Sequence, residues 1–246
     1  MLAMMNIKKL FCLAITVLFF SQIRLSAQIG EHRSRLSIGG GGGMTFSSID
    51  FDPTIKQSQL ACPMLGVALR YTCEKYFSTL CALQVEMNFV RLGWKEDIVD
   101  SKSQPLEDTY QRELSYVQIP LLARMAWGRE KRGFSFFIMA GPQFSYNLGN
   151  TSKQSNVWTL NQDGNPDRPN NVYQQYSMDP QRKVDYGLTG GLGLELSTAI
   201  GHFTLEGRYY FGLNDIYNNS KKDVFARSAH RSIMGKLTYF FDLFDK

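Results

Sequence analysis

Residues 183–212, KVDYGLTGGLGLELSTAIGHFTLEGRYYFG, hold two runs of alternating side chains that meet at a tight turn. In the first run Val184, Tyr186, Leu188, Leu192, Leu194 and Leu196 share one side, and Asp185, Thr189, Glu195 and Ser197 share the other. A period of two places successive side chains on opposite faces and therefore predicts a strand. Beyond Ile200 and Gly201, Phe203, Leu205, Tyr209 and Phe211 alternate with Thr204, Glu206, Arg208 and Tyr210, which predicts the returning arm of a β-hairpin. Each arm has about twelve residues, longer than the five or six of an ordinary strand and enough for a tilted strand to cross a bilayer.

The same alternation recurs along the chain and predicts eight strands. The others cover roughly 35–46, 65–73, 80–94, 110–127, 134–146 and 231–241. Pro120 withholds a ladder donor, so a bulge or local break is expected there. The connections at 47–64, 95–109, 147–182 and 213–230 are long and polar, whereas those at 74–79, 128–133 and 200–201 are short. Alternating lengths put every long loop on one rim. The expected fold is all-β: an eight-stranded antiparallel up-and-down transmembrane β-barrel with short periplasmic turns and long extracellular loops. A soluble eight-stranded barrel is the rival architecture. The polar face argues against it, because it carries many glycines and only a few charges of both signs. Aromatic residues near the strand ends, among them Trp127, Phe134, Phe203, Tyr239 and Phe241 at one end and Phe46, Trp94, Tyr146, Tyr186 and Phe211 at the other, are expected to form two interfacial girdles.

The amino terminus has a different character. Lys8 and Lys9 precede an apolar run from Leu10 to Phe20, and Leu25-Ser26-Ala27 offers a small residue before Gln28. Residues 1–27 are expected to be a cleaved signal peptide and residues 28–246 one outer-membrane barrel domain. Removing Lys8, Lys9 and Arg24 lowers the formal charge from +5 to +2, so the basic balance gives no reason to expect a nucleic-acid partner. No other apolar run approaches 18 residues, and the alternation within strands hides their hydrophobicity from averages such as the mean hydropathy of −0.23.

An eight-stranded barrel has an interior just wide enough for side chains to fill it. The inward positions carry Arg70, Glu86, Arg124, Glu195, Glu206, Arg208 and Lys236, which are expected to form a neutralising network, since buried charges are tolerated when paired. With Ile200-Gly201 as a two-residue turn, Glu195 stands opposite Glu206, an arrangement that also suits paired-carboxylate chemistry. His230, with Ser228 and Ser232 nearby and Asp215 or Asp223 to orient it, is the candidate for a hydrolytic site; the alternative is a solvated loop histidine. His32 and His202 lie at the opposite end, so no metal site or cofactor is expected. A hairpin centred near Phe77 pairs Tyr71 with Leu83 and Cys73 with Cys81, which predicts a disulfide between the two cysteines if an oxidising compartment holds that turn, with Cys62 apart in the first long loop. Two unlinked, small apolar side chains are the alternative.

The segments LSYVQIPLLARM at 114–125, MAGPQFSYNLG at 139–149, DYGLTGGLGLEL at 185–196 and LEGRYYFGLNDI at 205–216 resemble, in order and spacing, the PorT-like outer-membrane β-barrel family of Bacteroidota. The resemblance implies an outer-membrane barrel surrounded by lipid. From the family's namesake it implies an accessory role in type IX secretion, with other secretion-system proteins as partners. It supplies no catalytic motif, and the expectation is a non-enzymatic barrel. The alternatives are an outer-membrane lipid-modifying enzyme and a structural or adhesive barrel unrelated to secretion.

Overall fold

The computed structural model describes residues 30–245, so the expected signal peptide at 1–27 lies outside the described residues. Eight strands follow one another: β1 (Glu31–Asp52), β2 (Gln57–Tyr76), β3 (Thr79–Glu96), β4 (Tyr110–Gly128), β5 (Gly133–Gln154), β6 (Val184–Thr198), β7 (Gly201–Asp215) and β8 (Arg227–Asp245). Each pairs antiparallel with the next, and β8 pairs with β1 to close the ring. The expected all-β, eight-stranded up-and-down architecture is what forms. Outside, Leu65, Val67, Leu83, Met87, Ile119, Phe144, Leu192, Leu205 and Leu237 make an exposed apolar belt that water would penalise and lipid accepts.

The strands run further than expected at the long-loop end. Ser47 pairs with Leu60, and the connection expected at 47–64 shrinks to residues 53–56. Cys62 therefore sits within β2, buried, not in a loop. Long connections remain at 97–109, 155–183 and 216–226, all on the rim of the 53–56 turn, opposite the short turns at 77–78, 129–132 and 199–200. The local break expected at Pro120 is present: towards β3 the pairing skips Ile119 and Pro120, and towards β5 it skips Leu121 and Leu122, with the register unchanged on both sides, while the bulge of the β4–β5 pair lies at Leu148 of β5, opposite Ser115/Tyr116. Trp94, expected in a girdle, keeps the inward parity of Gln84, Glu86 and Asn88 and is fully buried.

Two registers differ from expectation, for physical reasons. In the β6–β7 hairpin, Thr198 pairs with Gly201, and its Oγ1 donates to the Gly201 carbonyl at 2.8 Å. That places the turn at Ala199-Ile200 and slides the arms by two residues, so Glu195 faces Thr204, and Glu206 faces Gly193. A slip of two leaves every side chain on its face. At the β2–β3 turn the conflict concerns parity. Tyr71 pairs with Leu83 as expected, but the two-residue turn at Phe77-Ser78 pairs Tyr76 with Thr79, which requires one extra residue on β2. Cys73 is that residue, bulged between Thr72 and Glu74. Cys81 pairs with Glu74, both cysteines are free, and the Cys73 thiol points to the Cys81 carbonyl at 3.3 Å. The bulge thus overturns the expected disulfide.

Extraction of the protein into a thiol-blocking reagent, followed by non-reducing peptide mapping, is expected to yield two separately alkylated peptides carrying Cys73 and Cys81. A single cross-linked species would place the two thiols opposite each other and remove the bulge.

Candidate functional site

The barrel interior divides into layers. At its centre Glu86 on β3 accepts from the Arg208 guanidinium on β7, at 3.0 Å for the Nη1–Oε2 pair, and from Lys236 Nζ on β8 at 2.9 Å. Arg208 also donates to Glu206 at 2.6 Å, while Gln84 and Asn88 donate to the Glu86 oxygens. One layer towards the short turns, Glu195 is held between Arg70 and Arg124, with Arg124 Nη2 at 2.9 Å. Phe240 and Phe137 lie against these guanidinium groups at 4.2 and 4.1 Å. All seven charged side chains are buried. They make two clusters, with Arg70, Arg124 and Glu195 in one and Glu86, Glu206, Arg208 and Lys236 in the other. Glycines leave the room this requires: a Cβ on Gly191 would lie 2.7 Å from Arg208 Cγ, and one on Gly193 would lie 2.5 Å from Phe137 Cζ.

Below Glu195 lies a cluster that sequence reasoning missed. His202 Nδ1 is 2.9 Å from Ser197 Oγ, and its Nε2 is 2.9 Å from Asp242 Oδ2, which lies beside Ser37 Oγ at 2.5 Å from the partner carboxylate oxygen. The residue types are those of a hydrolytic triad, but the arrangement is reversed. A triad histidine presents Nε2 to the serine and Nδ1 to the carboxylate. Ser197 and His202 are each 3% exposed, and the cluster closes the end of the lumen.

The candidate centred on His230 does not assemble. His230 is fully buried and pairs through Nε2 with the Tyr116 hydroxyl at 3.0 Å. Ser228 Oγ accepts the Tyr217 amide at 3.1 Å, Asp215 accepts the Ser228 amide at 2.6 Å, and Asp223 binds Ser220. Neither aspartate orients the imidazole among the described residues. The solvated-loop alternative fails as well, because the lengthened β8 carries His230 into the lumen.

At the long-loop end the lumen ends in aromatic rings. Phe51, Trp94, Tyr110, Tyr217 and Phe225 pack together, with Phe51 5.2 Å from Trp94 and 5.0 Å from Phe225. The connection 155–183 folds back over them. Tyr110 donates its hydroxyl to the Gln175 carbonyl at 2.9 Å, and Arg112 reaches the Met178 carbonyl. Glu96, at the end of β3, anchors this lid: its oxygens accept from Trp94 Nε1 at 3.1 Å, Gln175 Nε2 at 3.2 Å and the Tyr176 hydroxyl at 2.8 Å. Burial, and then the Glu96 carboxylate, push the Tyr176 phenol well above its ordinary value, so it stays a donor. Arg168 bridges the lid to Asp108 at 2.8 Å, and Trp158 stacks on Tyr176 at 4.5 Å. The even-numbered inward parity of β3, carried eight residues past Asn88, points to Glu96; no local pattern points to its lid partners. Beyond Trp158 the lid ends in an outward tip, 159–167, closed by backbone bonds from the Asn161 amide to the Asn165 carbonyl and from the Asp167 amide to the Thr159 carbonyl.

Among solved structures, Neisserial surface protein A is 11% identical, with alignment over 86% of this chain and 99% of its own and a TM-score of 0.45. OprG from Pseudomonas aeruginosa is 13% identical over 86% of this chain and 98% of its own, with a TM-score of 0.44. The outer membrane enzyme PagL is 9% identical over 83% and 98%, with a TM-score of 0.40. No curated protein matches the sequence significantly. The family model described as the outer membrane protein beta-barrel domain matches residues 20–218, and the chain belongs to that family, a barrel of the outer membrane.

Proposed function

We propose that this is a non-enzymatic outer-membrane barrel, sealed along its lumen, whose working surface is the lid end, held outside the cell, and whose role is accessory to protein secretion. The observation that carries the first part is the filled interior: two charged clusters, the closed His202 cluster and the aromatic cap lie in series between the rims. The serines beside the two buried histidines are withheld from substrate: Ser197, Ser228 and Ser232 are all buried, and Ser228 accepts the Tyr217 amide. What supports the second part is the lid itself. It presents Val157, 81% exposed, just before the tip, and Leu160, 57% exposed, on it, apolar groups set beyond the barrel wall and open to solvent. The secretion role rests on the sequence resemblance to PorT-like barrels. The adhesive or structural alternative shares the same tip and differs in what is lost when the tip is removed.

Two measurements test this. In planar bilayers the purified protein is expected to show no steady conductance, and in urea titrations of the refolded barrel Glu86→Gln is expected to lower the unfolding free energy by about 3–5 kcal/mol, because Lys236 and Arg208 lose the charge that holds them. Glu107→Gln, at an exposed loop position, is expected to change it by less than about 0.5 kcal/mol. Steady wild-type conductance would open the lumen and end the sealed-barrel reading.

Replacing residues 160–166 with an Asn-Gly turn, together with Val157→Ser, is expected to leave barrel levels in the outer membrane unchanged while reducing export of secreted surface proteins. Normal export at normal barrel levels removes the tip from secretion. Loss of surface attachment alone favours the adhesive role.

A further inference from the structure

Between the β1–β2 turn, the end of β3 and the lid lies a cavity of about 160 Å³. Its walls are aliphatic: Ile55 from the turn, Ile98 and Val99 after β3, and Val172 from the lid. Gln175, 1% exposed, lines it as well. The Gln175 carboxamide has a fixed orientation, because Glu96 accepts only and therefore takes the amide nitrogen at 3.2 Å. That leaves Gln175 Oε1 buried with no partner among the described residues. An unpaired buried acceptor is destabilising, and a ligand with a matching donor relieves that cost.

The charges around the cavity narrow the ligand. Lys56 and Arg168 also line it and disfavour a cation, while Glu96 and Asp97 disfavour an anion. A neutral group with one donor remains. Aliphatic walls select an apolar body, and an engineered cavity of about 150 Å³ with apolar lining takes up benzene. We infer that the cavity is a binding site for a phenol-like group, an aromatic ring that inserts among Ile55, Ile98, Val99 and Val172 and donates its hydroxyl to Gln175 Oε1. The group arrives either as a free small phenol or as a tyrosine side chain of a polypeptide. The inference stands apart from the secretion role, since it rests on the cavity alone.

The test uses the full mature chain refolded in lipid nanodiscs, with ¹⁹F NMR of 4-fluorophenol as the readout and empty nanodiscs to subtract partitioning into lipid. Saturable binding is expected, with fluorobenzene at least tenfold weaker. Gln175→Leu is expected to erase that preference, and Val172→Phe, which fills the cavity without touching the Gln175–Glu96 pair, to abolish binding of both probes while the barrel stays folded. Absence of saturable binding, equal affinity for the two probes, or undiminished binding by folded Val172→Phe would each overturn the assignment. N-acetyl-tyrosinamide then separates the sources: displacement of 4-fluorophenol identifies a polypeptide side chain, and failure to displace it identifies a free phenol.

Discussion

Pairing of β1 with β8 is the constraint on which the rest depends. A bilayer offers no water to the N–H and C=O groups of an open sheet edge, and each unsatisfied group costs several kcal/mol, so the sheet must close. The β1–β8 ladder runs from Arg35–Asp245 to Asp52–Arg227, the whole height of the wall. Closure at eight strands makes a narrow interior, and alternation sends every second side chain into it. The outward half is thereby fitted to lipid and the inward half to a crowded, nearly dry space. Charged residues that would be solvated on a soluble sheet must here pair with one another.

That demand explains the distribution of charge and glycine together. A buried carboxylate without a partner is not tolerated, whereas one gripped by two cations is, and both Glu86 and Glu195 are gripped in this way. Neighbouring β6 makes room for the guanidinium side chains, since it carries no side chain at Gly191, beside the Arg208 stem, nor at Gly193, beside the Phe137 ring that lies against Arg124. The glycines of β6 and the arginines of β2, β4 and β7 are therefore one feature in two parts. Breaking either part leaves a charge stranded or a side chain in collision.

Alternation made the strands, their faces and the inward charges legible in the sequence, since a period of two survives any even slip in register. What it could not carry is what distinguishes one register from another. Thr198 captures the Gly201 carbonyl and moves the β6–β7 turn by one residue on each arm, separating Glu195 from Glu206. The Phe77-Ser78 turn and the outward faces of Tyr71 and Leu83 disagree by one residue, and the bulge at Cys73 absorbs the difference. Both are outcomes of turn chemistry competing with facing preference, and composition is silent about the winner. The short 53–56 turn was hidden for another reason: polar residues such as Ser58 and Gln59 look like loop but extend the wall beyond the lipid belt, where a polar outer face is admissible. Lid contacts were least legible, because they join Glu96 to Gln175 and Tyr176 across about eighty residues with no shared periodicity.

The two ends of the barrel are closed by different means, and the difference bears on where function can reside. At the short-turn end Ser37, Ser197, His202 and Asp242 all lie on strands of the wall, so a change there perturbs the ladder itself. At the other end the barrel holds the lid partly through backbone carbonyls: Tyr110 donates to that of Gln175 and Arg112 to that of Met178. A carbonyl is present whatever the side chain. Lid side chains add specificity to the seal, with Gln175 and Tyr176 on Glu96, Arg168 and Thr159 on Asp108, Asp167 on the Ser101 amide and Arg182 on Asn214. Exposed positions of 155–183 outside these contacts can therefore change in sequence while the closure persists, and the tip is joined to the 97–109 connection at its base, where Thr159 donates to Asp108 and Asp167 accepts the Ser101 amide. Loops positioned by a rigid scaffold acquire binding roles for this reason. A recognition surface at the lid end can diversify without cost to the charged lumen, whereas one at the short-turn end would have to be built from the residues that keep the ring shut.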